Sequence, residues 1–345
     1  MRILLIGNFA PPYEEENLHN LSFLKKLEED GHECSVINIS ENPSNEEKIV
    51  DAKSLPVFVL KLLRNCRKKD VVHFSTKGYL RLGLLKLMTS ILVGKFFRIK
   101  SIITFHSELF SILGQMRSPF GGTQTLFTTF FFADKIIFAD RDTYNVATMY
   151  MKKSNFELIP SFIYTPEDIK ENESLTLKKL KDKEKVIVFA NVKYPSFLFE
   201  ILQELLTNYP LPSGAGIVIS LSEKPAGKLQ HAIEETGRGL ADNLVFIAPD
   251  DIRSILTACS RADIILRPLS CEGATYFESF SVSVRKTMHS GNYIYFPGGL
   301  VFVREGKTAE MCVKIINTLL SAEPDTIPEL KAEDSYKKII KIYQE

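Results

Sequence analysis

The sequence has no tryptophan, no close cysteine pair and no excess of charge of one sign. Each absence narrows what the chain can be. Lys plus Arg number 43 and Asp plus Glu 42, a formal charge of +1, whereas a general nucleic-acid binder carries a clear basic excess. The five cysteines, Cys34, Cys66, Cys259, Cys271 and Cys312, are scattered and show no ligand spacing. They read as reduced thiols in a cytoplasmic protein, and a cysteine-held metal is not expected. No stretch approaches the roughly 18 uninterrupted apolar residues of a membrane-spanning helix. Met1–Gly7 is too short for the core of a signal peptide. No Gly-x-Gly-x-x-Gly is present, so nothing supports a dinucleotide. What is there is ordinary globular material: 345 residues, 45% apolar and 25% charged, with 24 Phe and 12 Tyr to fill a core. That length suggests two domains.

Short β-branched runs alternate with longer amphipathic ones. In the first half the strands are Arg2–Ile6, Ser35–Ile39, Val71–Phe74, Ser101–Phe105, Lys135–Phe138 and Glu157–Ile159. Leu18, Leu21, Leu24 and Leu27 lie on one helical face between the first two, and Gly31 ends that helix. From Pro160 to Lys185 the rhythm breaks into prolines and charges. It restarts with Val186–Ala190, Gly216–Leu221, Leu244–Ile247, Asp263–Leu266 and Tyr293–Phe296. Continuous apolar strands separated by helices mean parallel sheets covered on both faces. The expectation is an α/β protein with two Rossmann-like parallel-sheet domains facing a cleft. The first domain spans 1–165, a linker 166–184 and the second domain 185–330. Residues 331–345 form a helix expected to pack back on the first domain. In such folds ligands sit at the carboxyl ends of the strands and between the domains.

Two stretches carry chemistry. The first strand runs into Gly7-Asn8-Phe9, then Glu14-Glu15-Glu16 and a helix. Glycine there lets backbone approach a ligand, and a helix start favours anions. The three glutamates, however, already complement the dipole and would repel a diphosphate; the plain alternative is a capped helix start. The second stretch is Ala262–Phe296. After its strand come Arg267-Pro268, Glu272-Gly273 and Glu278, and a helix is expected from about Ser281 to Gly291. Small Ser279, Ser281 and Ser283 leave backbone N–H groups open to a phosphate, while Glu278 can accept bonds from sugar hydroxyls.

Here the chain resembles the retaining, nucleotide-sugar-using glycosyltransferases of family 4, which have the two-domain GT-B fold. Glu278-Ser279-Phe280-Ser281 and Lys286 to Gly291 fall at the spacing of that family's EGFGxxxxEAMAxG motif. Ala262-Asp263-Ile264, Thr104-Phe105-His106, Ala133-Asp134-Lys135-Ile136-Ile137 and Leu158-Ile159-Pro160 are similar to further family segments, in the expected order. The resemblance implies a nucleotide-diphosphate sugar as donor substrate, transfer with retention, and no bound metal or cofactor. It implies that His106 and Glu278 are catalytic. It puts Gly7, Asn8, Lys193, Arg267, Glu272, Ser279, Phe280, Ser281 and Lys286 at the donor. Two residues depart from the pattern. Lys286 stands where the family has a carboxylate for the ribose hydroxyls, and an ammonium can only donate. After Val186–Ala190 the family's Arg is absent, leaving Lys193 as the substitute for the diphosphate.

Plain readings stand beside these. A lone His after an apolar strand is often structural, and His73 is read that way. Asp140-Arg141-Asp142 resembles a metal-holding Asp-x-Asp, but aspartates at a helix start are usually caps. Glu272 is equally a solvated turn residue. Residues 79–100 make a basic amphipathic helix, either resting on an anionic membrane or packed on the first sheet with snorkelling bases. The leading function is transfer of a sugar to a glycan or lipid-linked acceptor in polysaccharide or cell-surface glycan synthesis. The chain would act in the cytoplasm or at the inner face of the membrane, without nucleic acid. The alternative is a non-catalytic relative that binds a glycan or partner enzyme; a nucleotide-sugar epimerase fits the motif order less well.

Overall fold

The computed structural model of the chain describes residues 1–9, 15–40, 43, 48–76, 81–106, 129–139, 141–150, 154–165, 175–192, 200–205, 208–209, 211–212, 214–221, 244–248, 251–269, 281–295, 301–304, 307–321 and 332–345. Its first half is built on β1 (Arg2–Gly7), β2 (Glu33–Asn38), β3 (Ile49–Asp51), β4 (Val71–Thr76), β5 (Lys100–Phe105), β6 (Lys135–Phe138) and β7 (Phe156–Leu158). They form one seven-stranded sheet in the order β3-β2-β1-β4-β5-β6-β7, with every pairing parallel. This is the doubly wound order, with its topological switch between β1 and β4.

Strand alternation explains the layers. Leu4 and Ile6 face one way, into a cluster with Phe58 and Leu62 of α2 (Leu55–Cys66) and Leu87 and Ile91 of α3 (Arg81–Phe96). Ile3 and Leu5 face the other way, toward Phe23, Leu24 and Leu27 of α1 (Glu15–Glu29). Side chains on successive strand residues point to opposite faces, so a sheet covered on both sides needs unbroken apolar runs. Gly31 stops α1 as its sequence predicts, with φ 77° and the His32 N–H donating to the Leu27 carbonyl at 2.9 Å. That left-handed conformation is one few other residues adopt cheaply.

The second half carries β9 (Lys185–Val192), β10 (Ala215–Leu221), β11 (Leu244–Ile247), β12 (Ile264–Leu269), β13 (Ser281–Lys286) and β16 (Val301–Arg304), in the order β11-β10-β9-β12-β13-β16. The first four are parallel. β13 pairs antiparallel with β12, and β16 antiparallel with β13. The α/β architecture with two Rossmann-like parallel sheets is therefore as expected, but the helix read from Ser281 to Gly291 is not. Residues 281–286 form β13 instead. Ser281-Val282-Ser283-Val284 alternates with period two, which is strand patterning.

One device recurs at the amino edge of both sheets. Asp70, Asp134 and Asp263 each stand just before a strand. The backbone N–H of each donates to the carbonyl of Arg2, Ser101 and Val186 on the neighbouring strand, at 2.8, 2.9 and 2.8 Å. Their carboxylates in turn accept the N–H groups of those same residues at 2.7, 2.8 and 2.8 Å. A base completes each clamp: Arg2, Lys95 or Lys185. The Ala-Asp segments at 133–134 and 262–263 thus lock strand register.

The halves are sewn together twice. β14 (Met288–Ser290), β15 (Tyr293–Tyr295) and β8 (Phe162–Tyr164) form a small antiparallel sheet, so Tyr293–Tyr295 leaves the second parallel sheet to pair with the first half. Leu18 and Leu21 of α1 join a buried cluster with Val186 and Val188 of β9. After α4 (Arg141–Tyr150), α5 (Ile252–Arg261) and α6 (Thr308–Leu320) comes α7 (Ala332–Gln344). Its Tyr336, Ile339, Ile342 and Tyr343 are buried beside α1 on the first sheet.

Candidate functional site

The carboxyl ends of β1, β4 and β5 hold a buried polar cluster, an arrangement a packed core tolerates only when its groups are hydrogen-bonded. Gly7 ends β1. A Cβ there would lie 2.9 Å from Asn20 Nδ2 and 3.1 Å from Ser75 Cβ, so close approach of α1 and β4 requires glycine. The Asn8 carbonyl accepts from Asn20 Nδ2 at 2.8 Å. The Phe9 N–H donates to Asn38 Oδ1 at 3.2 Å, and Asn38 Nδ2 donates to Asp51 Oδ1 at 2.7 Å. The backbone leaving β1 is thereby pinned from two sides before it enters the loop.

His106 follows β5 and is 2% exposed. Its N–H donates to the Thr76 carbonyl at 2.9 Å. Its ring sits between two hydroxyls, with Nε2 2.8 Å from Ser75 Oγ and Nδ1 2.9 Å from Ser161 Oγ. Hydroxyls both donate and accept, so either ring tautomer is accommodated. A substrate atom that meets this ring has to replace one of the two serines. His19 of α1 stacks edge-on against it, centroids 4.8 Å apart, with Nδ1 2.7 Å from the Phe162 carbonyl. The first turns of α1 are buried although polar, through Glu16, Asn17, His19 and Asn20. In the sequence Glu16 belongs to what reads as a capped helix start.

A second histidine lies deeper. His73 on β4 is 3% exposed, with Nδ1 2.5 Å from Tyr343 Oη and Nε2 2.7 Å from Thr104 Oγ1. Burial, reinforced by the proximity of His19, pushes its pKa down to about 3, so it is neutral and structural, joining α7 to the sheet.

Of the residues the sequence singles out, Gly7, Asn8 and His106 come together here. Lys286 does not join them. It pairs with Ile264 at the amino end of β12, and its Nζ donates to the Ser321 carbonyl after α6 at 2.7 Å. Arg267 and Ser281 lie on the adjacent antiparallel strands β12 and β13. Lys193, Glu272, Glu278, Ser279, Phe280 and Asp140 lie outside the described residues. Among the described residues no group of three or more His, Cys, Asp or Glu could hold a metal ion. Cys34, Cys66, Cys259 and Cys312 are free thiols whose pKa values burial pushes up to about 12.

No protein-family pattern matches the chain, and no curated protein does. Solved structures similar to it include the S. aureus MnaA–UDP complex, at 14% identity over 77% of this chain and 74% of that one, TM-score 0.46. Anabaena HepE with UDP-glucose is similar at 13% identity over 77% and 73%, TM-score 0.48. An alpha-glucosyltransferase with UDP-glucose and DNA containing an abasic site gives 13% identity over 77% and 72%, TM-score 0.47. Such distant likeness assigns no residue of this chain a role.

Proposed function

We propose that the chain is a GT-B glycosyltransferase of the retaining, family 4-like kind, moving a sugar from a nucleotide-diphosphate sugar to a glycan or lipid-linked acceptor. The observation that carries this reading is the buried cluster of Gly7, Asn8, Ser75 and His106 at the switch point of the first sheet, together with the ordered family-like segments of the sequence. Ligands of doubly wound sheets bind at such a point. In this reading the acceptor lies against the first half and the donor against the second. Glu278 contacts the donor sugar, with Glu272, Ser279, Phe280 and Ser281 around it. Lys193 and Arg267 stabilise the charge that develops on the leaving diphosphate. His106 faces the sugar from the first half, one of its two serine partners giving way to the sugar while the other orients the ring. Lys286, held at the far end of the second sheet, takes no part. Synthesis of a polysaccharide or cell-surface glycan at the cytoplasmic side is the setting that fits.

A second reading is a non-catalytic relative that binds a glycan or partner enzyme. It is favoured by β13, which stands where the phosphate-holding helix was expected. Calorimetry against uridine, guanosine and adenosine diphosphate-sugars separates the two. The enzyme reading expects at least one donor to bind with a Kd of about micromolar to millimolar, and Glu278→Gln to abolish turnover while leaving the fold intact. No binding by folded protein would discard it.

A further inference from the structure

The outer face of the first half is unusual for a protein in water. Monomers seldom leave contiguous large apolar side chains uncovered unless something binds them. On α3, Leu82, Leu85, Leu92 and Phe96 are exposed, Leu92 at 46% and Phe96 at 80%. At 100° per residue they fall within one narrow arc of the helix, so they make a single stripe. On α2, which packs beside α3, Val57, Leu60 and Leu63 are exposed. Phe131 and Phe132, just before β6, are exposed as well. Among the described residues the other large exposed apolar side chains are Met149 on α4 and, in the second half, Val313 and Leu320 on α6.

Charge selects the occupant. Neither α2 nor α3 contains an acid, and from Ala52 to Ala133 the acids are Asp70 and Glu108 alone. Arg64 and Arg67 are exposed at the end of α2, on the side that carries Leu60 and Leu63. The opposite face of the same sheet carries both signs, with Glu28 and Glu29 in the last turn of α1, Asp30 after it, and Lys337, Lys338 and Lys341 on α7. A protein partner for a bare apolar stripe needs no such run of bases, whereas an anionic bilayer attracts a face that carries bases without acids.

We infer that the outer face of α2, α3 and residues 131–132 docks on an anionic lipid surface. Leu92 and Phe96 enter the headgroup boundary while Arg64 and Arg67 meet lipid phosphates. Among the described residues no helix is long and apolar enough to cross a membrane, so the contact is interfacial. This inference is independent of the sugar-transfer reading.

Cosedimentation of the full chain with vesicles tests it. The vesicles are phosphatidylcholine alone, or phosphatidylcholine with about 30% phosphatidylglycerol, an anionic content in the range that attracts basic surfaces. The expected result is binding to the anionic vesicles that falls in high salt. Leu92→Ser with Phe96→Ser should weaken partitioning about tenfold or more, and Arg64→Gln or Arg67→Gln about fivefold each. Leu320→Ser, an exposed apolar change on α6, should leave it unchanged. Equal binding to both vesicle types, or no loss in the Leu92/Phe96 variant, overturns the inference. So does a wild-type dimer, seen by light scattering, that the same variant makes monomeric while vesicle binding is absent.

Discussion

Acidification should loosen the chain through a single ring, His73. Buried between Thr104 and Tyr343, its imidazole has a pKa of about 3 against an ordinary 6.5. A base whose pKa is lowered by folding contributes stability that is present above about 6.5 and is lost as the pH falls from there toward 3. Each pH unit below 6.5 costs about 1.4 kcal/mol, so moving from pH 7.5 to 5.0 removes about 2 kcal/mol. That is a sizeable share of the roughly 5–15 kcal/mol that holds a domain folded. The assay is urea unfolding of wild type and His73→Gln at both pH values. Glutamine keeps a donor and an acceptor but does not titrate in this range. Wild type should lose about 2 kcal/mol more than the variant over this interval. Equal losses would refute the assignment, whatever the variant's stability at pH 7.5.

Three further outcomes follow from packing. Gly7→Ala should cost about 1–3 kcal/mol by overpacking against Asn20 and Ser75, read from the urea midpoint, and adding Asn20→Ala should recover part of that loss. Asp263→Ala leaves the Val186 N–H without its acceptor and should cost about 1–3 kcal/mol; thermal unfolding measures it. Deleting 332–345 uncovers the face that Tyr336, Ile339, Ile342 and Tyr343 bury, worth about 1.5–3 kcal/mol per side chain. The truncated chain should be insoluble or lose its near-ultraviolet circular dichroism, and an unchanged unfolding midpoint would contradict this.

The parallel sheets were legible because burial on both faces writes itself as unbroken runs such as Ile3–Ile6 and Val186–Phe189. Small serines ahead of Gly291 suggest a helix over Ser281–Lys286, but the alternation of serine and valine there is the period of a strand. The Ala-Asp segments were visible as letters, but their work as register clamps needs the neighbouring strand in view. At the site, Gly7 and Asn8 could be chosen because strand ends before helices are where ligands bind, whereas His106 was picked out by the family resemblance. Ser75, Ser161, His19 and Asn20 could not, since they act through partners distant in sequence, such as Phe162 for His19. Lys286 sits beside Ile264 at the amino end of β12 because β13 runs antiparallel, a pairing direction that needs the neighbouring strand in view.

The placement of α7 also bears on synthesis. A chain made from its amino end completes β1 to β7 long before the helix that covers them exists. His73 must wait for Tyr343, 270 residues later, before its Nδ1 is partnered. Until then Val71, Ile102 and Ile137 on that face have no cover from α7. The first half is therefore the first to be translated and the last to be finished, and the nascent chain presents a greasy surface to chaperones for most of its time on the ribosome.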